Sequence, residues 1–161
     1  MNASHKSRKG FSLIELLIVV AIILIIAGIA IPSLMRSKIQ ANEAAAVETL
    51  RTLDSTVVMY STTYNGFPHI LADMGPSSGG ATTSTAADLI DSVLATGIKS
   101  GYRYAYVATS SDPSGNVLSY SITATPISPG VTGQRSFYTD QSGTIRSTTT
   151  GTANSTSTPI G

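Results

Sequence analysis

Two hydrophobic patterns follow one another along the first part of the chain. Residues 16–35 contain no charged side chain, and a run of this length spans roughly 30 Å as a helix, the thickness of a bilayer core. Beyond it, apolar residues recur at steps of three, four and seven, which keeps them on one helix face. This stripe comprises Ile39, Ala46, Leu50, Leu53, Val57, Tyr60 and Tyr64.

A single helix is predicted for both patterns, because no turn signal interrupts residues 33–64. We expect it to run from about Ser12 to Tyr64, with a transmembrane part at 11–35 and an amphipathic continuation at 36–66. Asn65-Gly66 suits a left-handed helix cap, and Pro68 prevents further helix.

The rest of the chain predicts a small antiparallel sheet. Apolar and polar residues alternate over 102–108 and 118–124, with a turn between them, and a second hairpin is predicted from 135–139 and 144–147. Thr85 and Asp88 resemble a capping box before a short helix that ends at Gly97. The predicted fold class is therefore α+β, with a globular head at 67–147 packed on the second half of the long helix.

The last residues, 148–161, are nearly all Thr, Ser, Gly, Ala and Asn. A segment with so few large apolar side chains has little to bury, so a flexible tail is predicted there.

The distribution of charged residues predicts how the chain is oriented in a membrane. The formal net charge is +1, but without Lys6, Arg8 and Lys9 the remaining seven basic and nine acidic residues give −2. Bases before an apolar span favour a cytoplasmic N-terminus, with the rest of the chain outside. No basic patch is left that predicts binding to nucleic acid.

Catalytic and metal-binding residues are not evident. The chain has no Cys, which excludes disulfides and thiolate zinc sites. Beyond the first ten residues His69 is the single histidine, with no cluster of carboxylates at metal spacing. The sequence Asp140-Gln141-Ser142-Gly143 suits a hairpin turn better than a calcium loop. We therefore predict no metal, no cofactor and no enzymatic activity.

The segment Lys9-Gly10-Phe11-Ser12-Leu13-Ile14-Glu15-Leu16-Leu17 resembles the processing site of the type IV pilin and type II secretion pseudopilin superfamily. The resemblance implies a pilin-like fold and a leader peptide of residues 1–10. It also implies cleavage between Gly10 and Phe11 and N-methylation of Phe11, both by a prepilin peptidase/N-methyltransferase.

Glu15 is the unusual residue of the apolar segment. A charged side chain costs about 2.5–3.5 kcal/mol at the centre of a bilayer, and less near its edge. After cleavage, the amine of Phe11 in a neighbouring subunit would neutralise it, and the resemblance implies that this pair sets the axial register during assembly. The alternative is an interfacial glutamate that reaches the lipid headgroups.

Gly28 and Pro32 weaken the helix interior, since Gly is a poor helix former and Pro lacks the N–H for a bond to residue 28. One hypothesis is that this stretch loosens in an assembled filament. A simple kink is the other.

The leading functional prediction is a structural subunit of a type IV pilus, held in the bacterial inner membrane and then polymerised into a cell-surface filament. Its predicted partners are copies of itself, the processing enzyme, an inner-membrane assembly platform and the lipid bilayer. A type II secretion pseudopilin, in a periplasmic pseudopilus, is the alternative. A third hypothesis is a secreted soluble binding domain, released by signal peptidase near Ile31.

Overall fold

A computed structural model describes residues 10–160. The basic cluster Lys6, Arg8 and Lys9, and with it most of the predicted leader peptide, lies outside the described residues. The chain divides into two compact units, of which the first ends at Ser37 and the second begins at Lys38.

Helix α1 comprises Leu13–Tyr64, as the uninterrupted pattern predicts. In the first unit its large apolar side chains are exposed, among them Leu24, Ile29 and Leu34. In the second unit one stripe of α1 is buried, as predicted: Ala46, Leu50, Leu53, Val57 and Tyr60.

Asn65 ends α1 in the left-handed conformation, with φ of +58°. Its N–H still donates to the carbonyl of Ser61 at 3.1 Å, so the chain leaves the helix within one residue. The adjacent Phe67 N–H then donates to Val117 O at 2.9 Å, which fixes the exit of the helix against the sheet.

The sheet is a six-stranded antiparallel meander whose spatial order is the chain order. Its strands are β1 (Ile98–Lys99), β2 (Tyr102–Ser111), β3 (Val117–Pro126), β4 (Ser136–Asp140), β5 (Arg146–Thr148) and β6 (Thr158–Pro159). The two predicted hairpins correspond to β2–β3 and β4–β5.

The sheet buries an aromatic face against the second half of α1. Tyr102 and Tyr104 of β2 and Phe137 of β4 are almost fully buried, whereas Arg103 and Ala105 are exposed. The period-two alternation thus places the tyrosines in the core, as predicted. The α+β, pilin-like fold class is confirmed.

The short helix differs from the prediction. Helix α2 comprises only Ser92–Ala95, and its N-cap is Asp91, whose carboxylate accepts from Leu94 N–H at 2.7 Å. The predicted capping box at Thr85 and Asp88 is wrong: Asp88 has φ of +54°, which is incompatible with the start of a helix. Asp91 caps the helix because it directly precedes Ser92, the first helical residue, and its carboxylate can accept from a free N–H group of the first turn.

The prediction of a flexible tail at 148–161 is also wrong for the described residues 148–160. Strand β6 pairs with β5, with Thr158 opposite Ser147, and Ile160 N–H donates to Ile145 O at 2.9 Å. Ala153 is buried, and its N–H donates to Ser136 Oγ at 2.9 Å. Backbone pairing and one small buried side chain hold this segment, and its composition does not reveal them.

Candidate processing and assembly site

Gly10, Phe11 and Ser12 precede α1 in non-helical conformation. Gly10 is exposed, and 86% of the surface of Phe11 is accessible. An exposed non-helical segment is the kind of backbone that a peptidase can reach. The peptide bond between Gly10 and Phe11 therefore lies where a processing enzyme has access to it.

Gly10 has no packing role among the described residues. A Cβ atom added to it would meet no other atom within 4 Å. Packing among residues 10–160 therefore gives no reason for a glycine at this position.

Glu15 caps the beginning of its own helix. The N–H of Ser12 donates to Glu15 Oε2 at 2.9 Å, and Ser12 immediately precedes the first helical residue. This is one half of a capping box, in which the side chain of the third helical residue accepts from the N-cap backbone. A carboxylate at this end is also favoured by the helix dipole.

This contact changes the interpretation of the apolar segment. Glu15 is not unpaired as predicted, and the Ser-x-x-Glu spacing from Ser12 already carries the signature of a capping box. Among residues 10–160 the observed partner is a neutral N–H, which satisfies one acceptor position and brings no positive charge to Glu15. In lipid, such a carboxylate would need a cation or contact with the headgroups.

The apolar surface that follows Glu15 is continuous. Leu24, Ile29 and Leu34 are between 65% and 74% exposed. Among the described residues, α1 is long and apolar enough to cross a membrane, and none of its most apolar stretch is buried. Such a surface must be covered by lipid or by protein.

Gly28 and Pro32 both lie inside α1, which continues through them. A Cβ atom on Gly28 would meet nothing within 4 Å, so the position is open to solvent, lipid or another molecule. The proposed loosening of this stretch concerns an assembled filament and stays a prediction.

Catalytic chemistry has no candidate in the part of the chain that the structure describes. His69 is exposed, and the described residues contain no group of three or more potential metal ligands. The turn at Asp140 is a hairpin turn, with Ser142 N–H donating to Asp140 Oδ1 at 2.9 Å.

Comparison with known proteins places the candidate site in a family context. Residues 5–31 match the model of the prokaryotic N-terminal methylation motif. The chain carries the prepilin-type methylation motif of type IV pilins and type II secretion pseudopilins. The resemblance found in the sequence is thereby confirmed for this N-terminal segment.

Two kinds of relative match the pilin-like chain. The type II secretion system core protein G of Escherichia coli is 34% identical over 68 residues, which cover 42% of this chain and 46% of that protein. The type IV wide pilus major component PilA4 of Thermus thermophilus is 39% identical over 62 residues, covering 38% and 47%. The chain thus matches less than half the length of each of these curated relatives.

Proposed function

We propose that this chain is a structural subunit of a type IV pilus, or of the related type II secretion pseudopilus, rather than an enzyme. The observation that carries the proposal is the position of Glu15. Its carboxylate lies on a helix surface that is otherwise apolar, four residues after the exposed Phe11. Both residues fall within the segment that matches the methylation motif.

Processing creates the assembly-competent form. Cleavage between Gly10 and Phe11 by a prepilin peptidase removes the basic leader and releases an amine, which the same enzyme methylates. The new cation is at the start of α1, close to Glu15, which has no charged partner within residues 10–160. Methylation retains the positive charge, so an ion pair to Glu15 of another copy is available.

Subunits are proposed to reside in the lipid bilayer before they assemble. The apolar part of α1 holds each chain in the inner membrane, with its first residues in the cytoplasm and its head outside. An assembly platform then moves the chain into a filament, where copies of α1 cover one another's apolar surfaces. The transfer costs little hydrophobic free energy, because lipid contacts are exchanged for protein contacts of similar polarity.

A type IV pilus is the first choice of filament, and the match to a pilus major component supports it. The pseudopilus is a second candidate because several matching relatives are named type II secretion system core protein G. The lack of cysteine also favours the pseudopilus, since the best-known pilins close their C-terminal region with a disulfide.

Mass spectrometry of the native protein tests the processing step. We expect an N-terminus at Phe11 that is heavier by one methyl group. A chain that keeps residues 1–10 would contradict the proposal. A chain beginning near Ile31 would instead support signal peptidase cleavage and a secreted domain.

Microscopy and export assays then separate the two filaments. Long surface fibres labelled by an antibody to the head would support a pilus. Loss of protein export after deletion of the gene, without loss of surface fibres, would support a pseudopilus.

A further inference from the structure

A pocket of about 360 Å³ lies in the head beside the end of α1. Its volume is in the range of small-molecule sites, which is roughly 300–1,000 Å³. The lining includes Tyr60, Tyr64, Phe67, His69 and Asp73. The proposed filament assembly uses none of these side chains.

Aromatic rings form two walls of the pocket. The ring centroids of Tyr60 and Tyr64 are 4.7 Å apart, and their planes are inclined by 43°. The hydroxyl of Tyr60 donates to the carbonyl of Ser84, which fixes this ring. Phe67 is held by an edge-to-face contact with Tyr120, with centroids 4.9 Å apart. The faces of such rings are negative and attract cations.

Asp73 supplies a charge to the same pocket. Its side chain is 7% exposed, and Oδ2 accepts from the N–H groups of His69 at 3.0 Å and Ile70 at 3.1 Å. Within residues 10–160, Oδ1 has no hydrogen-bond partner. Burial, and then the negative charge of Asp73, raise the pKa of Tyr60, which agrees with a carboxylate close to the aromatic wall.

The pocket is lined by the carboxylate of Asp73 together with the hydroxyls of Tyr64, Ser84 and Thr85 and the imidazole of His69. No Lys or Arg is among its described lining residues, and the amide of Asn116 already donates to Asp112 Oδ2 at 2.9 Å. Hydroxyl groups suit neutral ligands as well, so the buried carboxylate is the feature that favours a cation. A carboxylate with a free oxygen beside inclined aromatic rings suits a positively charged ligand.

We propose that this pocket binds an alkylammonium group, which Asp73 neutralises and the rings of Tyr60, Tyr64 and Phe67 surround. The group belongs either to a small amine or to the lysine side chain of a polypeptide. The site is independent of filament assembly, so failure of one proposal leaves the other standing.

Titration of the full chain in a non-ionic polyoxyethylene detergent tests the site. Choline and n-butylammonium are the cationic probes, and 3,3-dimethylbutan-1-ol is the neutral analogue of choline. We expect a Kd of about 1 mM for the cations and at least roughly tenfold weaker binding of the neutral analogue. Equal binding of both, or binding of simple sugars alone, would overturn the proposal.

Substitutions at two pocket positions separate the role of charge from that of structure. Asp73→Asn keeps an oxygen for the N–H groups of His69 and Ile70 but removes the charge, so we expect about tenfold weaker cation binding in a chain that still unfolds cooperatively, at a Tm lowered by the weaker hydrogen bonds. Tyr64→Phe should bind as the native chain does and Tyr64→Leu more weakly. Asp91→Asn is the control outside the pocket, and native affinity in Asp73→Asn would exclude the role of the carboxylate.

The source of the ligand is decided by two peptides. A lysine-containing peptide that binds more tightly than n-butylammonium, and whose acetylated form does not bind, assigns the site to a polypeptide partner. Equal affinities for the peptide and the free amine assign it to small amines.

Discussion

Glu43 of α1 and Arg135, the last residue of the loop between β3 and β4, form an ion pair, with Arg135 Nε donating to Glu43 Oε2 at 2.8 Å. The other carboxylate oxygen accepts from the backbone N–H groups of Gln134 at 2.8 Å and Arg135 at 3.1 Å. The guanidinium lies 5.3 Å from the ring centroid of Phe137. One buried carboxylate thus joins the helix to the sheet at several points.

Glu43→Ala should therefore destabilise the head. It leaves two backbone donors and a guanidinium without their partner, and we expect a loss of about 3 kcal/mol in the free energy of unfolding. Chemical denaturation measures it. Glu48→Ala is the matched control, because its pair with Arg51 is long, at 3.7 Å, and exposed, so a change within about 0.5 kcal/mol is expected.

The same carboxylate predicts a pH dependence. Burial raises the pKa of Glu43, but the N–H groups of Gln134 and Arg135 and the guanidinium outweigh burial and hold the pKa below the usual 4.5. A lowered folded-state pKa means that this stabilisation is present above pH 4.5 and is lost as the pH falls through the folded value. The unfolding free energy should decline below pH 4.5 more steeply in the native chain than in Glu43→Gln; parallel curves would contradict this assignment.

Asp54 has the opposite behaviour. Burial between α1 and the sheet raises its pKa above the usual 3.8; hydrogen bonds from Thr139 and Tyr120 offset this in part, and the charge of Asp140 adds to it. The charged form therefore costs stability above pH 3.8. Asp54→Asn retains an acceptor for Thr139, whose hydroxyl donates at 2.8 Å. It should raise the unfolding free energy at pH 7 and leave the unfolding free energy at pH 3 unchanged. An equal gain at both pH values would point to packing instead.

Gly133 predicts a steric effect. A Cβ atom added there would overlap the ring and hydroxyl of Tyr102, which is fully buried and donates to Arg135 O at 2.8 Å. Gly133→Ala should cost about 1–3 kcal/mol by overpacking. Gly79→Ala, where a Cβ atom meets nothing within 4 Å, should be close to neutral, and thermal unfolding compares the two.

Variants of Glu15 separate its two roles. Gly10→Glu should leave an uncut precursor in the membrane, whereas Glu15→Ala should be cut but assemble poorly. Glu15→Gln keeps an oxygen for the N–H of Ser12 and removes the charge. Filament yield and the mass of the N-terminus are the readouts; native yield from Glu15→Gln would mean that the helix cap, rather than an ion pair, is what assembly needs.

Sequence patterns predict the elements that are long or strongly periodic. The end of α1 at Tyr64 follows from the stripe and the Asn-Gly cap, and the buried face of β2 follows from alternating tyrosines. The processing motif is local, so its residues could be named without a structure.

Local sequence patterns do not predict the elements that form only through contacts with residues distant in the chain. Strand β1 is two residues long and β6 lies in a Ser/Thr-rich segment, so both are strands only because a neighbouring strand accepts them. The ammonium pocket is missed for the same reason. Tyr64 and Asp73 look ordinary in the chain, and the turns after α1 bring them to one cavity.

Pro159 occupies the outer rim of the sheet, opposite Arg146. A proline has no amide hydrogen to offer a further strand, and it is tolerated at this rim for that reason. The rim is consequently a poor template for cross-chain β-pairing. When many heads lie side by side, Pro159 should therefore disfavour β-pairing between the sheets of neighbouring heads. Contacts between neighbouring heads should then be made by side chains.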